Sequence, residues 1–138
     1  METTLPEPTQ DERTMAMLAH ILQLFGGFIG PLIIYFVKRE SRFVAFHSLQ
    51  AVFWQLAWMV FFFCGIILAV LTALAVASGG SKNESPAVFG AFVLVWVGAM
   101  GFSMLNLVLA IYFAIRASQG KWAEYPLVAR WARQVAGI

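Results

Sequence analysis

The sequence contains few charged residues and only one cysteine. Asp, Glu, Lys and Arg together make up 12% of the 138 residues, against about 25% in a soluble domain. Because Cys64 is the single cysteine, an internal disulfide is excluded, and the residue says nothing about the redox compartment. The low charge argues against an ordinary soluble domain and directs attention to the apolar blocks.

Two long blocks lack charged residues entirely. They cover residues 44–78 and 86–115, and each exceeds the roughly 20 residues that an α-helix needs to cross a bilayer core. Hydrophobic residues make up 61% of the chain, and the blocks show no regular polar face of the kind that a soluble helix carries. The sequence therefore predicts an all-α integral membrane protein.

Motifs for catalysis or metal binding are also missing from the sequence. Neither block supplies an Asp or Glu as an intramembrane base, and no GxSxG or HExxH pattern occurs. Two histidines and one cysteine lack the paired spacing of a metal site. We therefore expect no enzymatic activity, no cofactor and no metal. The sequence pI near 9.0 reflects cations beside the blocks, which suits anionic lipid headgroups better than nucleic acid.

The first apolar segment, residues 11–39, is interrupted by glycines and a proline. Residues 1–10 are predicted to be a disordered tail, and the capping-box pattern TQDE predicts a helix that begins near Gln10. Gly26 is suited to end this helix, and Pro31 to the first turn of the next one. Residues 15–37 as one continuous helix would be roughly 34 Å long, close to the roughly 30 Å bilayer core. This match favours a broken span over a re-entrant hairpin, although both alternatives remain open.

The rest of the chain divides into four segments. Residues 42–51 mix basic, polar and aromatic side chains, as an interfacial helix does. Residues 52–78 and 87–116 are predicted to be the second and third spans, with a turn-rich loop at residues 78–86 between them. Residues 126–136 are predicted to form an amphipathic surface helix. Its expected lipid-surface residues are Arg130, Trp131 and Arg133.

These segments predict a single membrane domain over residues 11–138. The expected fold is a helical bundle with three spans, the first broken between Gly26 and Pro31, plus interfacial amphipathic helices. The bundle has four helices if the two halves of the first span are counted separately. Anionic headgroups are the expected lipid partner of its basic flanks.

The distribution of cations predicts the orientation of the bundle. Three cations lie in residues 38–42 and four follow residue 115, whereas the loop between the second and third spans carries only Lys82. Cytoplasmic flanks are enriched in Lys and Arg, so residues 38–42 and the C-terminal side are expected in the cytoplasm. We therefore predict a multi-pass protein of the bacterial inner membrane. The N-terminal side would lie outside for a broken span and inside for a hairpin.

A small number of polar residues fall within the apolar segments, and these are the candidates for function. With Pro31 at the break, they are His20, Gln23, His47, Gln50, Gln55, Ser103 and Asn106. Several of them share a helix face with small residues, which permits close helix packing and hydrogen bonds between helices. We interpret them as contacts that hold the bundle together. The alternative is a hydrophilic cavity for a passing substrate.

Four sequence blocks resemble those of a small prokaryotic membrane-protein family of unknown function. These blocks are DERTMAMLAH, GFIGPLIIYFVKRE, RFVAFHSLQA and EYPLVAR. The family is in turn similar to the twenty-kilodalton Tic component of the chloroplast inner-envelope import machinery. RFVAFHSLQA is the most specific block, because His47, Gln50 and Ala51 match its pattern. The resemblance implies a compact helical bundle and involvement in protein translocation or membrane-protein assembly.

Three hypotheses for function follow from the sequence. The first is a non-enzymatic membrane protein that acts by helix–helix association with another membrane protein or with further copies of itself. The second is a subunit of an oligomeric channel or carrier lined by His20, Gln23, Gln50 and Asn106. The third is an intramembrane enzyme that depends on His20 and His47.

Overall fold

The structure, a computed structural model, describes residues 7–78 and 86–138. The described residues form α-helices and no strand, which confirms the all-α fold. The helices are α1 (Gln10–Gly26), α2 (Ile29–Val37), α3 (Arg42–Ser78), α4 (Pro86–Ser118) and α5 (Ala129–Ala136). The first six residues of the expected tail, and residues 79–85 of the expected loop with Lys82, lie outside the described residues.

The capping box expected at the start of α1 is present. Thr9 precedes the helix, its hydroxyl accepts a hydrogen bond from the backbone N–H of Glu12 at 3.3 Å, and its own N–H donates to the Glu12 carboxylate at 2.7 Å. These two bonds satisfy donors that the first turn of a helix leaves without partners. At the other end, Gly27 has φ +56°, a left-handed value that favours glycine. The helix therefore ends where the sequence places its first glycines.

The chain reverses direction between α1 and α2. Lys38, just beyond α2, places its Nζ 2.7 Å from Oδ2 of Asp11, which lies in the first turn of α1. Had α2 continued along the direction of α1, these residues would lie roughly 35 Å apart or more. A Cβ at Gly30 would lie 2.7 Å from the Cβ of Leu22, so the two helices pack in direct contact. Together α1 and α2 form a hairpin.

The expectation of three spans is therefore corrected to two candidate spans. Two helices of the described chain are long and apolar enough to cross a membrane, over Arg42–Ala75 and Phe92–Ser118. The first segment does not supply a third, because α1 has 17 residues and α2 has 9, both fewer than the roughly 20 required. The reversal at Gly27 also prevents the two from adding their lengths.

The segments expected as an interfacial helix and as the second span belong to one continuous helix. α3 contains 37 residues, which corresponds to about 55 Å. No break separates residues 42–51 from the residues that follow, because residues 42–64 contain neither glycine nor proline. α4 is similarly long, with 33 residues.

The chain separates into two compact units. One contains α1, α2, the part of α3 up to Leu56, the part of α4 from Leu107, and α5. We call it the polar-core unit, because buried His and Gln side chains lie within it. The second unit, Ala57–Asn106, is apolar. It includes a ring contact between Phe61 and Phe102 at 4.8 Å and a cavity of about 300 Å³ whose lining includes Gly65 and Gly98.

Candidate functional site

Six polar side chains meet inside the polar-core unit. Two come from α1 and three from α3, and one lies in the segment between α4 and α5. Each is at most 5% exposed. His20 and Gln23 in α1, and His47 and Gln50 in α3, are three residues apart, so each pair lies on one face of its helix. The two faces can therefore pack against each other. We call this set the buried polar cluster, and its members are His20, Gln23, His47, Gln50, Gln55 and Tyr125.

The two histidines are hydrogen-bonded to each other in a defined direction. Nε2 of His47 lies 3.1 Å from the carbonyl oxygen of Lys121, and because a carbonyl only accepts, this nitrogen carries the proton. Within the described residues 7–78 and 86–138, no carboxylate is hydrogen-bonded to either ring to balance a buried imidazolium, so both rings are neutral. Nδ1 of His47 is then an acceptor, and Nε2 of His20 donates to it at 3.0 Å.

Tyr125 extends this chain of hydrogen bonds at its other end. Its hydroxyl accepts from Nε2 of Gln23 at 2.8 Å and donates to Nδ1 of His20 at 3.5 Å. Donation thus runs one way, from Gln23 through Tyr125, His20 and His47 to the backbone of Lys121. Burial raises the pKa of the Tyr125 hydroxyl, so this residue is also neutral.

Gln50 and Gln55 use their amides to satisfy backbone groups. Gln50 accepts from the backbone N–H of Tyr125 at 2.6 Å and donates to the carbonyl of Ala123 at 3.0 Å. Gln55 donates to the backbone carbonyl of Gln23 at 3.0 Å. A buried backbone group without a partner costs about 1–3 kcal/mol. The two amides therefore fix the segment around Tyr125 to α3, and the last turn of α1 to α3.

Aromatic rings enclose the cluster. The Tyr125 ring stacks on Phe113 with centroids 3.8 Å apart, and Trp54 lies 5.3 Å away at a tilt. The His20 ring meets the His47 ring edge-on at 5.2 Å. Such contacts add about 0.5–1.5 kcal/mol each beyond the area they bury. The rings keep the hydrogen bonds in an environment of low polarity, where they are stronger than in water.

Chemically, this arrangement connects helices and offers no ionised group. Within residues 7–78 and 86–138, no group of three or more His, Cys, Asp or Glu side chains is placed to hold a metal ion. Two buried polar atoms of the described chain near the cluster, Oε1 of Gln23 and Oγ of Ser48, have no hydrogen-bond partner. The hydrogen bonds described above join α1, α3 and the segment between α4 and α5 to one another.

The structure brings five of the predicted polar residues together. His20, Gln23, His47, Gln50 and Gln55 meet in the cluster. Pro31 is buried in α2. Ser103 is exposed and Asn106 half-buried, and both belong to the apolar unit.

Tyr125 is the member of the cluster that the sequence did not indicate. It stands next to Pro126, where the predicted surface helix begins, in a segment that contains Trp and Arg. Its place in the EYPLVAR block was the available signal. Nothing in the local pattern shows that its hydroxyl reaches Gln23, 102 positions earlier in the chain.

The C-terminal helix shows where the expected lipid-surface residues lie. α5 begins at Ala129, with Ala129 and Ala132 buried. Arg130 and Trp131 are exposed, whereas Arg133 forms an ion pair with Glu124 and lies over the Phe46 ring. The role of these three residues at a lipid surface stays a prediction.

One comparison with known proteins gives a match. A family model described as "Magnetosome magnetite crystal formation protein family" matches residues 11–132. No curated protein and no solved structure matches the chain. The matched range covers most of the chain and contains the buried polar cluster and both candidate spans.

Proposed function

The chain belongs to the magnetosome magnetite crystal formation protein family, and from this membership we propose that it takes part in magnetite crystal formation as a non-enzymatic component of the magnetosome membrane. It acts by helix–helix association with other membrane proteins or with further copies of itself. Its place in the bilayer is that of a multi-pass protein with the C-terminal side in the cytoplasm.

Membership confirms the coarser part of the resemblance noted in the sequence. The chain is a member of a small prokaryotic membrane-protein family, and the family is associated with a membrane. The match gives no support to a similarity with the chloroplast import component. Protein translocation therefore has no observation in its favour, and crystal formation replaces it as the process.

The observation that carries the proposal is the separation of polar and apolar groups. The polar side chains of the cluster form hydrogen bonds within the polar-core unit, and these bonds connect one segment of the unit to another. The helices of the apolar unit instead expose large apolar side chains, among them Val60, Leu68, Leu94 and Val97. Groups available to a partner are therefore apolar helix surfaces, as expected for association within a bilayer.

Glycines in the apolar unit provide a surface on which a partner helix can pack. Gly65 and Gly98 both line the cavity of this unit, and a Cβ at either position would meet nothing within 4 Å. Small residues let two helix backbones approach closely, which is how helices associate in lipid. The cavity gives this contact a concave shape.

The hypothesis of a channel or carrier subunit has less support. Three of its expected lining residues, His20, Gln23 and Gln50, are buried and hydrogen-bonded within the polar-core unit. The fourth, Asn106, belongs to the apolar unit. The described cavity is lined by aromatic, aliphatic and glycine residues, which do not suit the passage of ions.

Replacement of the gene in a magnetosome-forming bacterium tests the proposal. We expect deletion to change the size or number of magnetite crystals, counted by electron microscopy, and the wild-type gene to restore them. The double variant Gly65→Leu/Gly98→Leu should fold, because a Cβ at either position meets nothing within 4 Å and the longer side chains can enter the cavity. It should nevertheless fail to restore the crystals and fail to recover a stoichiometric partner in mild detergent.

The matched control is Val135→Leu, which enlarges an exposed apolar residue but lies outside the apolar unit. It should restore the crystals fully. Crystals unchanged by deletion, or a strictly monomeric chain in cross-linked membranes, would contradict the proposal.

A further inference from the structure

We propose that α1 and α2 form a re-entrant hairpin that dips into the bilayer from the side carrying Lys38 and Lys121, with lipid acyl chains covering its exposed face. The inference concerns the path of the chain and does not depend on the role in crystal formation. It places the start of α1 on the same side of the membrane as α5.

The hairpin exposes an apolar face that water would not favour. Phe25 is 85% exposed, Ile29 57%, Ile33 56% and Phe36 62%. Their spacing of three and four residues places the side chains of α2 on one face of that helix. Contiguous exposed apolar surface of this kind marks contact with a membrane or a partner.

The charged residues of the hairpin lie at its mouth and not at its tip. This distribution favours lipid over protein as the material that covers the exposed face. Residues 14–37 include no charged residue, so the tip and both arms are neutral. The mouth of the hairpin holds the ion pair of Asp11 and Lys38, both partly exposed. A hydrogen bond from Ser41 lowers the pKa of the Glu12 carboxyl beside them, so the mouth is ionised and requires water. A gradient from ions to exposed Phe and Ile within one hairpin fits a bilayer boundary better than a protein partner.

Two carbonyls at the deep end of the hairpin accept hydrogen bonds from within the protein. The carbonyl of Gln23, in the last turn of α1, accepts from the Gln55 side chain at 3.0 Å, and the carbonyl of Phe28 accepts from the N–H of Leu32 at 3.1 Å. A helix that ends in water can leave such groups to solvent, whereas in lipid they need protein partners. If the last turn of α1 lies away from water, its Gln23 carbonyl needs a protein donor, and the buried Gln55 amide supplies one.

The mouth of the hairpin lies beside the segment that follows α4. Nε of Arg13 donates to the carbonyl of Pro8 at 2.9 Å, and a Cβ at Gly120 would lie 2.9 Å from the same nitrogen. Further along, His47 holds the Lys121 carbonyl. The start of α1 and the segment from Gly120 to Lys121 thus occupy one end of the polar-core unit, where the cations predict the cytoplasmic side.

Helix lengths limit how far the hairpin reaches. The uncharged part of α1, from Thr14 to Gly26, is about 20 Å long, and α2 is about 13 Å. Neither matches the roughly 30 Å of the hydrocarbon core. The hairpin therefore reaches only part of the way across the core, and it returns to the side from which it came.

Cysteine accessibility tests the side on which α1 begins. In a chain with Cys64→Ala, single cysteines are introduced at Glu7, Gln134 and Ser81, and sealed vesicles of known orientation are treated with a membrane-impermeant maleimide. We expect Glu7→Cys and Gln134→Cys to react from one side and Ser81→Cys from the other. Reaction of Glu7→Cys together with Ser81→Cys would show that the first segment crosses the membrane, and would overturn the proposal.

Depth is measured separately with nitroxide labels in the same background. Labels at Phe25→Cys and Phe36→Cys should collide more with oxygen than with a water-soluble nickel chelate, and Phe25 should be the deeper site. Glu7→Cys is the control and should show the reverse preference. Access of the nickel chelate to Phe25 would place the tip in water, and exclusion of both reagents would place it against protein; either result contradicts a lipid-covered hairpin.

Discussion

The carboxylate of Asp11 and the ammonium of Lys38 lie 2.7 Å apart, although 27 positions separate the two residues in the sequence. The pair closes the mouth of the α1–α2 hairpin and joins the first turn of one helix to the end of the other. Its side chains are 57% and 37% exposed, so solvent and salt weaken their attraction. The pair is therefore evidence for the path of the chain, and it contributes little to the stability of the fold.

A double-mutant cycle over this pair should give a small coupling energy. We expect Asp11→Asn and Lys38→Met to couple by about 0.2–1 kcal/mol, as exposed ion pairs do, and the coupling to shrink in high salt. Unfolding in mild detergent at two salt concentrations measures it. If the variants are strictly additive at low salt, the two side chains do not interact, and the reversal of the chain loses its direct support.

Gly30→Ala should destabilise the protein by about 1–3 kcal/mol through overpacking. The added methyl group would lie 2.7 Å from the Cβ of Leu22 on α1, so the hairpin helices must move apart. Thermal unfolding followed by circular dichroism measures the loss. Gly26→Ala is the matched control, since it has open space and no left-handed φ, and it should be neutral or slightly stabilising. Equal effects at both positions would mean that α2 does not pack on α1 at Gly30.

Removal of the Tyr125 hydroxyl should show how much its hydrogen bonds stabilise the fold, apart from the packing of its ring. Tyr125→Phe keeps the ring that stacks on Phe113 but leaves the Gln23 amide without its acceptor. We expect a loss of about 1–3 kcal/mol, the cost of an unsatisfied buried donor. Tyr112→Phe removes the same group from an exposed ring and should change stability little. A Tyr125→Phe protein as stable as the control would show that the hydroxyl does not bridge the histidine and the glutamine.

Replacement of Gln50 should have a larger effect than replacement of Tyr125. Gln50→Met keeps a similar volume but removes both bonds that hold the backbone of Tyr125 and Ala123, at about 1–3 kcal/mol for each unsatisfied group. Hydrogen exchange in detergent should also show faster exchange of the Tyr125 amide. Gln134→Met, at an exposed position, is the control. Unchanged exchange at Tyr125 would contradict the assigned contact.

Much of this fold follows from local patterns in the sequence. The capping box, the two long apolar helices and the ends of α1 each depend on residues within a few positions of one another. The spacing of three between His20 and Gln23, and between His47 and Gln50, places each pair on one helix face. Such features could be predicted because their physical cause is local.

The features that could not be predicted depend on contacts between distant residues. A broken span and a hairpin have the same composition, and only the approach of Gly30 to Leu22 and of Lys38 to Asp11 decides between them. Ser103 and Asn106 follow the same kind of pattern as the cluster residues, yet they fall in the other unit. Tyr125 carries no periodic signal, because the segment that holds it is not helical.

The dependence of the cluster on Tyr125 and on the Ala123 and Lys121 carbonyls has a consequence for synthesis. Translation produces His20, His47 and Gln50 long before these partners, and most of the first candidate span and all of the second are synthesised in between. During that interval His20 and His47 can bond to each other, but Gln50 and the second nitrogen of each imidazole have no final hydrogen-bond partner. A chaperone or insertase that shields them would be needed only until residue 125 is added, so a ribosome stalled before that codon should hold the longest-lived contact with it.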